Sequence, residues 1–533
     1  MNARFADSAR RAAITVFRGV GGILCIMFSA ASCKLIEENR GLLVRGSLLN
    51  IFKNQYFWLG LVLVVAFWLR LYKIDAPIAD WHSWRQADTA AVTRNFIKIG
   101  FNPFTPKYDD MLGVSETPIA NPNTFRFVEF PIYNITTYPL YLFFGVEDKY
   151  SRLVSIIFSL GSIIFLYLIC KRYFSTYICL LTSLVYALLP FNVFFSRTTL
   201  PEPTFLFFAL GMMYFVDKWI WENRGIWGIW AVLFTSIAFL IKPWAIFFTL
   251  PLIYSLFVKF GPRNIPKKFL VFALFSILPF VVWRLWILQS PEGIPASSWL
   301  MNGDSIRFRP AFWWWLISER ISREILGVTG LVLFTIGLLI RPKNGNFFMH
   351  IWALSLFLYF VIFATGNIRH DYYQYIAVPV LAVFLTQGFI HLILGDRDFL
   401  PRIWTITLAL FFLILSFYFS WTQVKGLYQI NNPVIVEAGK KADAILPKNA
   451  IVVASYNGDT AFLYQTNRKG WAVTALPLPS MVADYGVTHF ISTTRDDKTN
   501  WVLRHFEILE DNPKFVIADL TKIIMPLGGD PEP

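Results

Sequence analysis

Apolar residues recur along this chain in long blocks that are separated by short polar joints. Most blocks are roughly 17 to 24 residues long, the length that a helix needs to cross about 30 Å of hydrocarbon. The pattern predicts a polytopic α-helical membrane protein with about eleven spanning helices. They are Gln55–Tyr72, Ser151–Cys170, Phe174–Phe195, Pro203–Val216, Gly225–Ile241, Pro243–Phe260, Phe269–Leu288, Ile325–Ile340, Phe347–Thr365, Tyr372–Leu394 and Ile403–Trp421.

The basic joints between the blocks indicate which helix ends face the cytoplasm. They fall on one side if the proline-interrupted stretch 132–144 does not cross the membrane. These joints begin at Lys171, Lys259, Arg341 and Gly395. We therefore predict that residues 132–144 and 81–99 form helices in the membrane interface, where Trp, Tyr and Arg are favoured.

This orientation places most polar clusters on the outer, periplasmic face of a cytoplasmic membrane. The segments concerned are the first outer loop (73–150), 196–202, Lys242, the fourth outer loop (289–324), 366–371 and the tail after Trp421. A transporter tends instead to carry charges near the bilayer midplane on repeated halves, and the sequence contains no such internal repeat.

Composition supports a membrane location and narrows the function. Hydrophobic residues make up 56% of the chain and charged residues only 15%, which is unusual for a soluble protein. The net charge of +14 comes mostly from Lys and Arg in the joints, so it indicates membrane topology and not a nucleic-acid partner. Cys25, Cys33, Cys170 and Cys179 have no metal-binding spacing, and we expect no disulfide framework.

The chain divides into three predicted parts. Residues 1–54 include a short apolar run, Gly19–Cys33, that fits a cleaved signal, an extra helix or an early start codon. Residues 55–421 form the transmembrane module. Residues 422–533 alternate β-rich and helical runs, which predicts an exoplasmic α/β domain. Because this domain lacks a glycine-rich phosphate loop, its simplest interpretation is a packing or acceptor-docking domain without chemistry.

The first outer loop carries the densest set of candidate catalytic residues. On a helix over 81–99, His82, Arg85 and Thr89 share one face, and Asp88 lies one turn from Arg85. A carboxylate beside a guanidinium stays ionised and can accept a proton or a metal ion. The alternative is a helix that anchors the protein at the membrane surface and whose charges are solvated.

Two further acids precede prolines at helix starts. Glu129 follows Arg126 in "RFVEFPIYN", and Glu202 follows Arg197 in "SRTTLPEPTF". Either acid can serve as a general base or as a helix-start carboxylate that the helix dipole stabilises.

Several cations lie near the predicted outer ends of the spanning helices. Lys242 and Arg284 either extend to lipid headgroups or, with Arg85, Arg126, Arg197 and Arg369, form a pocket for a phosphate. The fourth outer loop adds Arg307, Arg309 and three consecutive tryptophans, which are typical of an aromatic belt. The segment "GNIRHDYYQYIAVP" brings His370 and Tyr372 to a helix mouth, and a lone histidine is a weak metal ligand.

With these motifs in order, the chain resembles the C-type membrane glycosyltransferases that use lipid-phosphate-linked sugars, near the aminoarabinose transferases and protein O-mannosyltransferases. The resemblance extends over about Gln55–Trp421. Its motifs are "TAAVTRNFIKIG", "VEFPIYN", "SRLVSIIFSLGSIIFLYLICKRYF", "SRTTLPEP", "LIKPW", a large fourth outer loop and "RHDYYQYIAVPVLA".

The chain departs from that family at two places. The family usually has an Asp-Glu pair where Arg85 and Gln86 stand, so the nearest carboxylates are Asp88, which we favour, and Asp80. The histidine that the family associates with a metal ion in the fourth outer loop is absent between Gln289 and Glu324. A divalent metal ion is therefore an open possibility and not an expectation.

The resemblance implies transfer of a glycosyl group from a polyprenyl-phosphate donor to a hydroxyl of a lipid, glycan or protein, with inversion. The catalytic candidates are Asp88, Asp80, Glu129 and Glu202. Donor-phosphate candidates are Arg85, Lys242, Arg284, Arg369, Arg197 and Tyr372, and supporting or acceptor candidates are His82, Arg126 and His370. A transporter or lipid flippase is the alternative function, and a scaffold for an envelope complex is a third.

Overall fold

The computed structural model describes residues 54–116, 120–342, 345–395 and 400–527. The predictions for the N-terminal segment, including Gly19–Cys33 and the cysteines within it, concern residues outside these ranges. The described residues from Trp58 onwards belong to one compact unit, and residues 54–57 belong to another. Of the cysteines in the described ranges, Cys170 and Cys179 are both buried free thiols.

Most of the chain is α-helical. The helices of the transmembrane region and its loops are Gln55–Arg70, Ser83–Lys98, Ile132–Phe144, Asp148–Cys170, Thr176–Leu188, Pro190–Phe195, Glu202–Glu222, Gly225–Ile241, Leu250–Phe260, Lys267–Ile287, Trp299–Asn302, Pro310–Trp314, Thr329–Leu339, Phe348–Ile362, Ala364–Arg369, Val378–Leu394 and Arg402–Val424. Turns of 3₁₀-helix extend several of them, at Pro243–Phe248, Pro291–Gly293, Gly303–Phe308, Asp371–Ala377 and Lys425–Tyr428, and Trp315–Ile325 is a π-helix.

Five of the described helices are long and apolar enough to cross a membrane, or six if the pair Pro310–Ile325 and Thr329–Leu339, bent by 108°, counts as one span. The five are Asp148–Cys170, Pro243–Phe260, Lys267–Ile287, Asp371–Leu394 and Arg402–Tyr428. Shorter apolar helices occur at Gln55–Arg70, Thr176–Leu188, Gly225–Ile241 and Phe348–Ile362. Apolar helices thus lie at positions where the hydrophobic pattern predicts membrane-spanning helices. The total of eleven spanning helices stays a prediction.

Prolines explain why some apolar blocks are not single helices. The block 174–195 is divided into two helices because Pro190 begins the second, and its ring excludes a continuous hydrogen-bond ladder. Lys242 has an extended backbone between the helix that ends at Ile241 and the 3₁₀ turn that begins at Pro243. Because the helix is broken here, Lys242 does not follow the helical repeat of its neighbours. Its position is important for the candidate active site.

The helix Ser83–Lys98 lies inside the folded structure and not on its surface. Every residue from Arg85 to Phe96 is buried, because Ile132–Phe144 packs against one side and Ala461–Thr466 against another. The helix begins at Ser83, two residues later than predicted, and His82 precedes it with a left-handed backbone (φ 55°). The interpretation as a surface-anchoring helix with solvated charges is therefore wrong.

The tail forms a small α/β domain around a five-stranded sheet, in the order β2-β1-β3-β5-β4. The strands are β1 (Ile451–Ala454), β2 (Lys469–Trp471), β3 (His489–Ser492), β4 (Phe506–Asp511) and β5 (Val516–Ile523). Strand β1 pairs in parallel with β2 and β3, whereas β5 is antiparallel to β3 and β4. The helices of this domain are Val434–Ile445, Ala461–Thr466, Leu478–Tyr485 and Asp497–His505.

The first outer loop continues this sheet beyond β2. Asp110 forms a parallel bridge with Gly470, the Met111 amide donates to the Gly470 carbonyl at 2.7 Å, and the Gly470 amide donates to the Asp109 carbonyl at 2.9 Å. Backbone pairing of this kind fixes register as well as distance. The loop of the transmembrane module and the tail are therefore one structural element at this edge.

Candidate active site

Arg85 and Glu129 form an ion pair among the polar residues of the first outer loop, in which one guanidinium nitrogen contacts both carboxylate oxygens. Nη2 of Arg85 donates to Oε1 of Glu129 at 2.9 Å and to Oε2 at 2.7 Å, and both side chains are almost fully buried. Glu129 lies just before Pro131, which begins the helix Ile132–Phe144, whereas Arg85 lies in the first turn of Ser83–Lys98. Two helix starts thus place opposite charges together.

The environment of Glu129 favours its ionised form. Burial alone raises the pKa of a carboxyl, but the cations Arg85, Lys242 and Arg126 more than offset it and lower the pKa of Glu129. Burial lowers the pKa of Arg85, but Glu129, followed by Tyr372 and Glu202, outweighs the burial and raises that pKa. Within the described residues, Nε and Nη1 of Arg85 have no hydrogen-bond partner, so this guanidinium keeps donors for a ligand.

Lys242 and Glu202 form a second buried pair beside the first. Nζ of Lys242 lies 2.5 Å from Oε1 of Glu202, and the ammonium also faces the rings of Trp244 at 4.4 Å and Tyr373 at 5.5 Å. Oε2 of Glu202 is buried without a hydrogen-bond partner among the described residues. The lysine therefore extends inwards to a carboxylate and not outwards to lipid headgroups, and a role of Glu202 in the site stays a prediction.

Asp88 contacts Arg126 and not Arg85, which corrects the pairing expected from helix spacing. Oδ2 of Asp88 lies 2.7 Å from Nη2 of Arg126, and Oδ1 accepts a 2.6 Å hydrogen bond from the Thr460 hydroxyl. The reason is that Arg85 points across to Glu129. Burial raises the pKa of Asp88, and Arg126, Thr460 and more distant Arg85 oppose that rise.

Asp80 lies in a separate cluster of buried ion pairs and hydrogen bonds. Its Oδ2 lies 2.8 Å from Nη2 of Arg197 and 3.6 Å from Nη2 of Arg152, and its Oδ1 accepts from Gln86 at 2.7 Å. Gln86 in turn accepts from the Thr199 amide at 3.1 Å. Asp80 and Arg197 thus connect three segments of the chain, which is the geometry of a structural ion cluster.

His82 is bound to Asp371 and is not part of the helix face on which it was expected. Nε2 of His82 lies 2.5 Å from Oδ1 of Asp371, and the Trp81 indole donates to Oδ2 at 2.7 Å. The left-handed backbone at His82 turns its side chain out of the helix and towards Asp371. Arg320 also approaches Oδ2 of Asp371, at 3.5 Å, so the fourth outer loop joins this contact.

His370 and Tyr372 form an aromatic group with His82. The ring centroids of His370 and Tyr372 are 5.3 Å apart, those of His82 and Tyr372 are 4.9 Å apart, and Trp299 lies against His370 at 5.7 Å. Burial, with His82 as a second cause, lowers the pKa of His370 to about 3, so the imidazole is neutral near pH 7. Tyr372 is buried at the start of an apolar helix, next to Tyr373.

Two predicted phosphate ligands lie outside these clusters. Arg369 is exposed and rests on the ring of Trp299 at 5.0 Å, and Arg284 is half-buried over Trp283 at 5.9 Å. Neither forms an ion pair with any described residue. The structure therefore does not bring Arg284, Arg369 or Arg197 together with Arg85 and Lys242.

Among the residues that the structure describes, no group of three or more His, Cys, Asp and Glu side chains is arranged to hold a metal ion. The acids of the site are instead bound by cations. This arrangement can bind an anion through Arg85 and Lys242, and it can accept a proton on a carboxylate.

Sequence reasoning missed Thr460, Asp371 and Asp110 as members of this neighbourhood. Asp371 was visible beside His370, but its contact with His82 joins residues 289 positions apart. Burial raises the pKa of Asp110 to about 7, and this acid interacts with Asp88. Thr460 carries no motif, since a single hydroxyl in a tail with an apparent packing role gives no sequence signal.

Comparisons with known proteins agree with this architecture. Residues 133–286 match the family model described as dolichyl-phosphate-mannose-protein mannosyltransferase. That segment is less than a third of the chain, and it includes Glu202, Lys242 and Arg284 but not the first-loop residues Arg85 and Asp88. No curated protein sequence matches the chain significantly.

Two solved structures are similar over most of the chain. The crystal structure of ArnT from Cupriavidus metallidurans bound to undecaprenyl phosphate has a TM-score of 0.60 and 13% identity, and the match covers 86% of this chain and 97% of that one. The apo form of the same protein gives a TM-score of 0.58 at 12% identity, with the same coverage. The predicted resemblance to C-type membrane glycosyltransferases is confirmed, and the chain has their fold.

Proposed function

We propose that this protein transfers a glycosyl group from a polyprenyl-phosphate donor to an acceptor hydroxyl at the outer face of the cytoplasmic membrane, with inversion. The observation that supports this most directly is the pair of ion pairs Arg85–Glu129 and Lys242–Glu202, next to Tyr372 at the start of an apolar helix. In the same fold, ArnT was solved with undecaprenyl phosphate, a lipid whose anionic head requires such cations.

In this proposal Asp88 is the general base. An alcohol is a weak nucleophile until its proton is accepted, and a buried carboxylate with a raised pKa is a stronger base than a solvated one. As the acceptor oxygen bonds to the anomeric carbon, the bond from that carbon to the phosphate oxygen breaks, and the acceptor proton moves to Asp88. Arg126 holds the carboxylate of Asp88 in place.

The leaving group is a phosphate, so charge stabilisation matters more than protonation. Arg85 has free donors at Nε and Nη1 within the described structure, and Lys242 uses one contact on Glu202. Such positioned donors each contribute about 3 kcal/mol to a transition state in comparable enzymes. We assign the donor phosphate to Arg85, Lys242 and the Tyr372 hydroxyl, and the acceptor side to His82, Arg126 and His370.

The substrate is best identified first in cells. Mass spectrometry of envelope glycolipids and glycoproteins, with and without the gene, is expected to show one sugar missing from an acceptor and retained on its polyprenyl phosphate. An unchanged glycan profile combined with a lipid-linked sugar held on one side of the membrane contradicts the proposal and favours the flippase alternative.

Asp88→Asn then tests the base in membranes supplied with that radiolabelled donor. We expect at least a hundredfold loss of transfer, because general-base catalysis contributes about 10²–10⁴. Asp75→Asn is the matched control, since Asp75 is exposed in the same outer loop, and it is expected to retain wild-type transfer. Wild-type turnover of Asp88→Asn removes Asp88 from the role, and Glu129→Gln and Glu202→Gln then identify the acting carboxylate.

A further inference from the structure

The C-terminal domain contributes a side chain directly to the proposed base. Oγ1 of Thr460 lies 2.6 Å from Oδ1 of Asp88 and 3.0 Å from the Trp84 carbonyl oxygen. Thr460 is buried, and the helix Ala461–Thr466 that follows it packs on Ser83–Lys98. The contact therefore joins the tail to the helix that carries Arg85 and Asp88.

A hydroxyl has one proton, so it cannot donate to both oxygens at once. While Asp88 is ionised, the Thr460 hydroxyl donates to Oδ1. When Asp88 has taken up a proton on Oδ1, that O–H donates to Oγ1, and the Thr460 hydroxyl can rotate to donate to the Trp84 carbonyl. Both states of the carboxyl keep a hydrogen bond without any movement of the backbone.

We propose that Thr460 is a positioning residue that holds Asp88 in both its ionised and its protonated state, so that the C-terminal domain completes the active site of the transmembrane module. This inference rests on the proposed role of Asp88 as the general base. It gives the tail a part in the chemistry, where the sequence suggested packing or acceptor docking alone.

The position of Thr460 is fixed by its neighbours. Asp459 accepts a 2.6 Å hydrogen bond from the Ser83 hydroxyl through Oδ2 and a 2.8 Å hydrogen bond from the Ala461 amide through Oδ1. The sheet edge at Gly470 holds the same domain to residues 109–111 of the first outer loop. The tail is thus bonded to the first outer loop both before Thr460, at Asp459, and after it, at Gly470.

Other ionisable groups around Asp88 also affect its pKa. The groups that face Asp88 or Thr460 are Arg126, Arg85, Tyr108, Asp109, Asp110 and Asp459. Burial, the largest effect, and the three acids raise the pKa of Asp88, and together they outweigh the two guanidinium groups, which favour the ionised carboxylate. Against this background the Thr460 hydroxyl stabilises the ionised form.

Thr460→Val removes the hydroxyl and preserves the shape of the side chain. The hydrogen bond to an ionised carboxylate is stronger than the bond to a neutral carboxyl, so its loss raises the pKa of Asp88. A raised pKa leaves less ionised base at acid pH, and the acid limb of the pH–rate profile moves to higher pH. The expected shift is about one pH unit, the equivalent of one hydrogen bond to a charged group.

The experiment measures the carboxyl directly in the purified full-length protein. Infrared spectra are recorded over a pH series, and the C=O band of protonated Asp88 is identified as the band that Asp88→Asn removes. Wild type, Thr460→Val and Thr460→Ser are compared, and transfer is assayed over the same pH series. Thr466→Val is the matched control, because it deletes a buried hydroxyl of the adjoining helix that donates to the Leu463 carbonyl and accepts from the Arg468 amide, without a hydrogen bond to Asp88.

We expect the band and the acid limb to move together in Thr460→Val, and to return in Thr460→Ser. Wild-type titration of Thr460→Val, or a shift that Thr460→Ser and Thr466→Val both share, overturns the inference. If Asp88→Asn retains full transfer while Thr460→Val still moves the infrared band, the proposed base is wrong and only the hydrogen bond stands. The two failures are therefore distinguishable.

Discussion

Asp80 and the proposed base Asp88 are both buried, and they differ in the partners that bind their oxygens. Its oxygens are bound by Arg197, Arg152 and Gln86, and the side chain is only 1% exposed. Asp80→Asn removes the negative charge and leaves two buried guanidinium groups facing each other. Breaking a buried ion pair in this way costs about 3–5 kcal/mol, so we expect a clearly lower melting temperature in detergent.

Asp75→Asn is the control for this change, because Asp75 is exposed five residues earlier in the same loop. The measurement is the thermal unfolding of both variants beside wild type, followed by the transfer assay at a temperature where all are folded. A normal melting temperature with lost transfer gives Asp80 a chemical role and restores it as the alternative to Asp88.

At this scale the sequence located the acids but not their partners. Asp88, Glu129 and Glu202 stood out because charge is rare in this chain, and rarity is visible without a structure. Their partners are not visible in this way, because Arg85 pairs with Glu129 across 44 residues and Thr460 hydrogen-bonds to Asp88 across 372. Helix spacing alone favoured Arg85 for Asp88, since it describes neighbours on one helix and says nothing of those on another.

Two glycines allow close packing of the helices Thr329–Leu339 and Val378–Leu394. A Cβ at Gly337 would lie 1.8 Å from the Phe384 carbonyl oxygen, and a Cβ at Gly388 would lie 1.8 Å from that of Leu333. Small residues at such crossings let backbones approach in a membrane, where helix association depends on packing. Gly337→Ala is expected to force the helices apart and to destabilise the protein by about 1–3 kcal/mol.

Gly60→Ala is the matched control, because Gly60 lies in the helix Gln55–Arg70 and a Cβ there meets no atom within 4 Å. In detergent, thermal unfolding should drop for Gly337→Ala and stay level or rise for Gly60→Ala, since alanine favours helix over glycine. Equal melting temperatures for the two variants contradict the close approach of these helices.

Apolar periodicity predicted where helices lie better than where they end. Asp148–Cys170 and Lys267–Ile287 match their predicted blocks closely, because each block is continuous and strongly apolar. The block 174–195 is divided at Pro190, and Trp315–Ile325 is a π-helix that a sequence pattern does not encode. The buried helix Ser83–Lys98 was predicted as a helix, but its burial depends on the tail that covers it.

At the scale of the whole molecule, the site is assembled from segments far apart in the chain. The first outer loop supplies Arg85, Asp88 and Glu129, helix junctions supply Glu202 and Lys242, and the tail supplies Thr460. The tail also pairs with the loop at Gly470. All these segments therefore have to lie on one side of the membrane, and we predict that the basic joint near Lys259 lies on the other.

Cysteine labelling measures that sidedness with two substitutions of the same kind. Asn500 is exposed in the tail helix Asp497–His505, and Asn264 is exposed in the basic joint between Leu250–Phe260 and Lys267–Ile287. We expect a membrane-impermeant maleimide added to spheroplasts to label Asn500→Cys and not Asn264→Cys. Both variants are made with Cys25 and Cys33 replaced by serine, and the remaining native cysteines, Cys170 and Cys179, are buried and give little background.

Detergent permeabilisation provides the control, since both cysteines should then react to the same extent. Labelling of Asn264→Cys alone in sealed spheroplasts places the tail, and with it Thr460 and Asp88, in the cytoplasm. Because Thr460 contacts Asp88 directly, the tail reports the side of the acid site without any substitution in the site itself. The same result then reverses the proposed face of transfer while leaving the ion pairs, and the chemistry they support, intact.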